Sequence, residues 1–172
     1  MDASTEPDPL LGPPVATVTQ VAATGPINQV PATVELMVDR RSIPPETAGA
    51  FEQRLQGAVS AAVPTAVTVR AALVERPTPF LTAFRTPESA HLVGLLQEAV
   101  GAAGIDPAVT AFAAATEASY FADTPVVVFG PGRLVDADGP IAHAEREYVH
   151  TPAVETAAVV LRETIESLGP LG

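Results

Sequence analysis

The chain has 172 residues, of which 47% are hydrophobic, and its formal net charge is −11 at pH 7. This composition is sufficient for a folded core, and the charge excludes nucleic acid and anionic membrane surfaces as partners because they repel an acidic protein at long range. The absence of cysteine excludes disulfides and thiolate metal sites, so a bound metal would require His, Asp or Glu.

The balance of charged residues also bears on the source and location of the protein. All nine basic residues are arginine. An acidic chain without lysine resembles proteins of salt-loving archaea, in which salt screens the repulsion between like charges; a GC-rich genome that favours Arg, Ala, Gly and Pro codons is the alternative. No apolar run approaches the ~20 residues that span a bilayer, and the acidic, proline-rich start is unlike a signal peptide. We therefore expect a cytoplasmic protein.

The first part of the chain predicts a small α+β unit. Residues 1–14 are rich in proline, so we expect a disordered lead-in. Alternating apolar and polar residues predict antiparallel strands at 15–23, 33–40 and 66–75. The helical spacing of apolar residues after Pro45 predicts a helix that ends before residue 64 and lies on this sheet.

The second part, residues 78–172, predicts an incomplete α/β segment. Helices are expected at 86–104 and 151–168, where Thr is followed by Pro at each start. Four consecutive apolar residues at 126–129 predict a parallel strand that is covered on both faces, and a second short strand is expected at 109–113. These strands are too few to form a parallel sheet with neighbours on each side, so the second part is expected to be incomplete. The predicted fold class is α/β, with a partial domain at 15–77 and an incomplete one at 78–172.

The last predicted helix carries an apolar stripe that should face the core. Its members recur at helical spacing. They are Val154, Ala158, Leu161, Ile165 and Leu168.

A candidate metal ligand follows the predicted buried strand. The strand ends in the turn Gly130-Pro131-Gly132, at the carboxyl edge where open α/β sheets place ligand sites, and His143 comes shortly afterwards. An imidazole binds metal through one ring nitrogen while a carboxylate orients the other. The nearby carboxylates are those of Asp138, Glu145 and Glu147. A surface histidine without a ligand is the alternative, because one histidine is not a site.

Other polar residues carry weaker signals. His91 and His150 are expected to be surface residues, and Asp136 is expected only to solvate a loop. The pair Arg40-Arg41 is expected at an exposed strand end, although two adjacent guanidinium groups also suit a carboxylate ligand.

Three quoted segments carry a resemblance to a known family. They are "ATEASYFADTPVVVFGPG", "AHAEREYVHTPAVETAAVVL" and, upstream, "GPINQVPATVELMVDRR". In this order they resemble the carboxyl end and the lid of the dinuclear metallopeptidase and deacylase family that includes acetylornithine deacetylase and succinyl-diaminopimelate desuccinylase. That family typically reads T-D-A-x-x-F, F-G-P-G and A-H-T-x-x-E-Y-V, preceded in the lid by N-V-V-P and D-x-R.

The resemblance implies roles for particular residues. His143 matches the terminal metal-binding histidine, for Zn2+ or Co2+ in the complete enzyme. Asn28 matches a lid asparagine that helps to hold substrate, and Gly130, Pro131 and Gly132 match a loop beside the carboxylate of the substrate. The implied substrate is a small N-acyl amino acid, and the lid implies a homodimer.

The resemblance leaves the rest of the catalytic centre without counterparts. The H-x-D motif, the bridging aspartate and the glutamate pair with the general base have no match in this sequence. We therefore expect no catalytic residue here, and a fragment or split-gene half whose partner is an amino-terminal catalytic segment. Its complete enzyme would remove N-acyl groups from amino acids or short peptides in amino-acid biosynthesis. A non-catalytic dimerisation or interaction protein derived from the family is the alternative.

Overall fold

The computed structural model describes residues 6–169, which divide into two compact units. The first unit contains the described residues up to Arg85 together with Ala111–Tyr120, and the second contains Thr86–Thr110 and the described residues from Phe121 onward. Helices and small antiparallel sheets occur together, so the predicted mixed α/β class is confirmed. No helix within residues 6–169 is both long enough and apolar enough to cross a membrane. The domain boundaries drawn from the sequence stay a prediction.

The first unit contains a two-stranded antiparallel ribbon of β1 (Val15–Ala23) and β2 (Val34–Arg41). The register of the two strands shifts between Val18 and Gln20, where β1 has one extra residue. Successive side chains of a strand point to opposite faces, so this bulge keeps the apolar residues of both strands on one face.

The apolar face of the ribbon is largely exposed. Val18 pairs with Val38, and Val21 pairs with Leu36. Val18, Val21 and Leu36 are 53%, 67% and 49% exposed. The alternation in the sequence thus forms a one-sided ribbon whose apolar side is not covered by the described residues.

The helix α1 (Ala48–Ala62) begins at Thr47, whose Oγ1 accepts a hydrogen bond from the amide of Ala50 at 3.3 Å. This is a side-chain cap that satisfies one free amide at the helix start. The backbone of α1 does not approach β1 or β2, in contrast to the prediction that the helix lies on the sheet; it contacts the end of β2 through the side chain of Arg40.

A buried ion pair joins the end of β2 to the start of α1. The side chain of Glu46 is 1% exposed; it accepts hydrogen bonds from Nε and Nη2 of Arg40 at 2.8 and 2.7 Å and also pairs with Arg54. The guanidinium of Arg40 lies 4.7 Å from the ring centre of Phe51. The prediction of an exposed strand end is therefore wrong for Arg40, because Glu46 compensates the charge that burial removes from water. Burial lowers the pKa of Arg40.

The start of the described chain forms a turn. Asp8 and Gly12 exchange backbone hydrogen bonds of 2.9 and 2.8 Å, and the carboxylate of Asp8 accepts a hydrogen bond from Arg85 at 2.9 Å. Residues 1–5 of the predicted lead-in lie outside the described residues.

Three segments that were predicted as strands, at 66–75, 109–113 and 126–129, form no β ladder within residues 6–169. Side chains bind some of the amides that a neighbouring strand would bind. The amide of Ala71 donates to Oε1 of Gln56 at 3.1 Å, and the amide of Val126 donates to Oγ1 of Thr86 at 3.1 Å. The antiparallel strand predicted at 66–75 and the strands predicted at 109–113 and 126–129 are therefore not observed. An apolar pattern indicates burial, whereas a strand also needs a neighbouring strand to bind its backbone groups.

The second unit is built around two packed helices, α2 (His91–Ala102) and α3 (Thr151–Leu168). Val160 of α3 is fully buried at 0% exposure. The residues of α2 in this cluster are Leu96, Ala99 and Val100. Val127 and Phe129 pack against the cluster, so the predicted strand is anchored to the helices even without a sheet.

The helix α3 carries two apolar faces. Its buried residues are Ala157, Val160 and Thr164, and the hydroxyl of Thr164 donates to the carbonyl of Val160 at 2.8 Å. The stripe that was predicted to face the core is exposed instead; Leu161 and Ile165 are 43% and 64% exposed. That prediction is wrong because helical spacing identifies an apolar stripe, whereas the choice between two stripes depends on the neighbouring element.

Removal of the central core side chain should destabilise the second unit. Val160→Ala should lower the free energy of unfolding by about 2–3 kcal/mol, because it removes buried apolar volume and leaves a cavity. Val159→Ala is the matched control, since Val159 is 38% exposed on the same helix and the change in helix propensity is identical. Urea unfolding, followed by the NMR signals of α2 and α3, measures both values. Equal losses would contradict the assigned core.

Removal of the buried carboxylate should destabilise the first unit. Glu46→Gln should lower its free energy of unfolding by about 3 kcal/mol, because it leaves the charge of Arg40 buried with a weaker partner. Asp39→Asn is the control, since the pair of Asp39 with Arg41 is half exposed and should contribute less than about 1 kcal/mol. The measurement is urea unfolding followed by the NMR signals of β1 and β2. A control that costs as much as Glu46→Gln would be inconsistent with a buried pair.

Candidate functional site

The candidate site begins with a small hairpin of β3 (Val135–Asp136) and β4 (Gly139–Pro140). The carboxylate of Asp136 accepts a hydrogen bond from the amide of Asp138 at 2.9 Å, which closes the turn between the strands. Gly139 has a φ of +112°, a conformation that residues with a side chain rarely adopt. The two-residue loop is Ala137-Asp138, and it is flanked by Asp136 and Gly139. Asp at the first and Gly at the fourth position are common in tight turns, so the sequence contained a signal for this one.

A second turn, residues 141–144, carries His143. Ile141 is 3% exposed, and the amides of Ile141 and Ala142 both donate to the carbonyl of Leu134, at 2.9 and 3.3 Å. The amide of Ala144 donates to the carbonyl of Ile141 at 3.3 Å. His143 is exposed at the tip of this turn, with a φ of +60°.

A polar cluster of Asp136, Arg146 and Tyr148, here called the Asp136 cluster, lies beside the hairpin. Arg146 donates two hydrogen bonds to the carboxylate of Asp136, at 2.8 and 2.6 Å, and Tyr148 donates a third at 2.9 Å. Arg146 also donates to the carbonyl of Gly139 at 2.8 Å. The prediction that Asp136 only solvates a loop is therefore wrong. The contacts join residues that are separated by ten and twelve positions, which no short motif records.

The cluster shifts the acidity of its members. The hydrogen bonds from Arg146 are the main cause that holds the pKa of Asp136 well below its ordinary value, and the bonds from Tyr148 and from the amide of Asp138 act in the same direction. The same carboxylate raises the pKa of Arg146 and of Tyr148. At neutral pH the cluster is therefore a carboxylate held by a guanidinium and a phenol.

The glycine turn lies beside the segment that follows the cluster. Gly132 has a φ of +90°, and a Cβ on it would lie 3.3 Å from Cγ2 of Val149. The rings of Tyr148 and His150 make an edge contact, with centres 5.0 Å apart. A side chain at position 132 would thus lie against Val149, in the segment that leads into α3. Glycine allows these two segments of the chain to pass close to each other.

The residues that the sequence singled out do not all belong to one unit. Gly130, Pro131, Gly132 and His143 lie in the second unit, and Gly132 contacts the segment that follows the Asp136 cluster. Asn28 is exposed in the loop between β1 and β2 of the first unit, within a turn that the hydrogen bond from the amide of Gln29 to the carbonyl of Pro26 closes at 3.0 Å.

The described residues do not by themselves fit a metal centre. Within residues 6–169, no group of three or more His, Cys, Asp or Glu side chains is placed to hold a metal ion. A catalytic zinc takes about three protein ligands and a water. His143 is a single exposed histidine, and the carboxylates that were expected to orient its ring make no hydrogen bond to it in this part of the chain.

The acidity of Asp136 should depend on its two side-chain donors. Arg146→Gln should raise the pKa of Asp136 toward its ordinary value of 3.8, and Tyr148→Phe should raise it less, because Arg146 is the larger cause. The NMR titration of the carboxyl carbon of Asp136 measures both shifts.

The same titration sets a pH dependence. Folding lowers this pKa, so the carboxylate stabilises the hairpin fully above the ordinary Asp range, and the effect is lost as the pH falls through the lowered value. Amide protection in the hairpin, corrected for intrinsic exchange, should stay constant from about pH 7 to about pH 5. An unchanged pKa in Arg146→Gln, or protection that falls within that range, would contradict the assignment.

Comparison with known proteins identifies a family for most of the chain. Residues 10–167 match the family model described as peptidase family M20/M25/M40. No curated protein and no solved structure matches the chain significantly. The metallopeptidase resemblance seen in the sequence is thereby confirmed at the level of the family, whose members are hydrolases that typically depend on metal. The chain belongs to peptidase family M20/M25/M40.

Proposed function

We propose that this chain is part of a metal-dependent amidohydrolase that removes N-acyl groups from amino acids or short peptides, as acetylornithine deacetylase and succinyl-diaminopimelate desuccinylase do. The observation that carries the proposal is the position of His143, exposed at the tip of an anchored turn within a chain of this family. In this proposal His143 supplies one ligand to a metal centre, and the remaining ligands and the general base belong to polypeptide outside this sequence.

The chemistry of His143 supports this role. A neutral imidazole binds metal through one ring nitrogen, and an exposed ring on a fixed turn is accessible to a metal that is held from the other side. The proposed metal is Zn2+ or Co2+. The net charge of the chain also favours the binding of a metal cation, since a protein with a net charge of −11 attracts divalent cations at long range.

The proposed partner is an amino-terminal catalytic segment of the same family. Contiguous apolar patches are uncommon on the surface of monomeric proteins and mark sites of association. The outer stripe of α3 is such a surface within the second unit, with Val154, Leu161, Ile165 and Leu168 at 42%, 43%, 64% and 46% exposure. Packing of the partner on this stripe would bind it to the unit that contains His143.

A homodimer through the lid is proposed for the first unit. The apolar face of the ribbon and its open edges are suited to pairing with a second copy. The substrate in this proposal is a small N-acyl amino acid, and its contact within the second unit is the loop Gly130-Pro131-Gly132. The positive φ of Gly132 and its lack of a side chain support this use of the loop, because a glycine leaves the backbone amides accessible to a carboxylate.

A non-catalytic interaction protein is the second candidate. The exposed ribbon face and the lack of a three-ligand cluster within residues 6–169 favour it. It differs from the first candidate in one measurable respect: it forms a defined oligomer that holds no metal. Metal analysis of the chain, purified alone and together with an amino-terminal segment of the family, separates the two candidates.

The function should depend on His143. Co-expression with an amino-terminal family segment should give deacylation that requires zinc or cobalt, and His143→Ala should lower kcat/KM on the order of 100-fold or more, because a ligand to the metal is lost. The measurement is the hydrolysis of a panel of N-acyl amino acids with added metal.

His91→Ala is the matched control for this experiment. His91 is exposed at the start of α2, and its replacement should leave the activity unchanged. An active assembly that is indifferent to His143→Ala would show that His143 is not a ligand. A metal-free, inactive oligomer would favour the second candidate.

A further inference from the structure

The ion pair of Asp136 and Arg146 closes the segment that carries His143. The two residues are ten positions apart, and His143 lies between them. The contact has two parallel hydrogen bonds of 2.8 and 2.6 Å. A two-bond contact of this kind fixes the orientation of the guanidinium as well as its distance, so it constrains the backbone on both sides of the turn.

Two further hydrogen bonds join the segment before His143 to the segment after it. Arg146 donates to the carbonyl of Gly139 at 2.8 Å, which ties it to the hairpin before His143. Tyr148 donates to Asp136 at 2.9 Å, which ties the segment after His143 to the same carboxylate. An isolated ion pair on the surface contributes little to stability, but a two-bond pair within a network is the case in which such contacts are effective.

The backbone at His143 needs such support. Its φ of +60° lies in the left-handed region, which is unfavourable for a residue with a side chain and persists only when the surroundings enforce it. Within the turn the amide of Ala144 donates to the carbonyl of Ile141 at 3.3 Å, and just after it the amide of Glu147 donates to the carbonyl of Ala144 at 3.0 Å. At its start the amides of Ile141 and Ala142 donate to the carbonyl of Leu134, at 2.9 and 3.3 Å. The contacts of Asp136 lie outside this turn and fix both of its ends.

We infer that Asp136 is a positioning residue for His143: by binding Arg146 and Tyr148 it holds the turn of residues 141–144 in the conformation that projects the imidazole. The use of that imidazole as a metal ligand rests on the proposed function, whereas the effect on the turn does not. Asp136 acts through Arg146 and Tyr148 and has no contact with the ring of His143.

The experiment is NMR spectroscopy of the full chain and its Asp136→Asn variant without metal. The wild-type chain should show a strong intraresidue NOE between the amide proton and Hα of His143, the signature of a positive φ. In Asp136→Asn this NOE should weaken, and the amides of Ala144 and Glu147 should exchange faster with solvent, on the order of fivefold, because the two-bond contact that closes the segment is lost. A merely structural role would change exchange throughout the unit and would leave the NOE of His143 unchanged.

Three variants make the result specific. Asp138→Asn removes the same charge from the same hairpin and should leave both signals as in the wild type. Arg146→Gln should reproduce the effect of Asp136→Asn, and the double variant should add nothing, because the two side chains act as one unit. Independent, additive effects of the two single variants would overturn the inference.

The state of the core decides which variant is diagnostic. If the amide of Val160 keeps its protection in Asp136→Asn and the NOE of His143 is also unchanged, the inference is overturned. If that variant loses core protection, Tyr148→Phe replaces it, since it removes one hydrogen bond of the cluster; a weaker NOE supports the inference and an unchanged NOE overturns it. Neither signal involves metal or substrate, so an assembly that is indifferent to His143→Ala overturns the proposed function and leaves this result standing.

Discussion

The packing of α2 against α3 is the interaction on which the rest of the second unit depends. Val160 is fully buried between the two helices, and Val127 and Phe129 attach the segment before the glycine turn to the same cluster. The residues that follow the Asp136 cluster lead directly into α3. Both ends of the region that contains His143 are therefore fixed to one apolar core, and close packing in that core transmits its geometry to the surface turn.

Polar contacts then fix the conformation of the surface segments, which the apolar core does not determine. The carboxylate of Asp136 binds Arg146 through two nitrogens, and in the first unit the carboxylate of Glu46 binds Arg40 in the same way. A planar guanidinium makes such two-bond contacts, whereas the single ammonium of lysine does not. The use of arginine as the only long basic side chain, which from the sequence alone was interpreted in terms of salt or genome composition, thus has a structural consequence. Both units use two-bond ion pairs to join neighbouring segments, across six residues in the first unit and ten in the second.

Periodicity predicted the elements better than it predicted their neighbours. The strand at 15–23 and the helix at 151–168 occur with the expected bounds. The helix predicted at 86–104 is shorter, from His91 to Ala102, and neither predicted Thr cap forms: α3 is preceded by His150 and α2 by Ala90. The same pattern assigned the wrong face of α3 to the core, since two apolar stripes compete and the packing of α2 decides between them. The segment at 126–129 is apolar because it lies on the helices, and it has no strand beside it in the described part of the chain.

The candidate site could be predicted only in part, because a local sequence pattern does not record which residues come into contact. A local motif identified His143, whereas the contacts of Asp136 depend on how a hairpin folds back over ten positions, and only the turn residues Asp136 and Gly139 indicated that hairpin in the sequence. The most direct test of the account is the NMR spectrum of the chain assembled with an amino-terminal family segment and loaded with Co2+. The account predicts hyperfine-shifted ring resonances that are assigned to His143; ring resonances of His143 that cobalt leaves unshifted would contradict it.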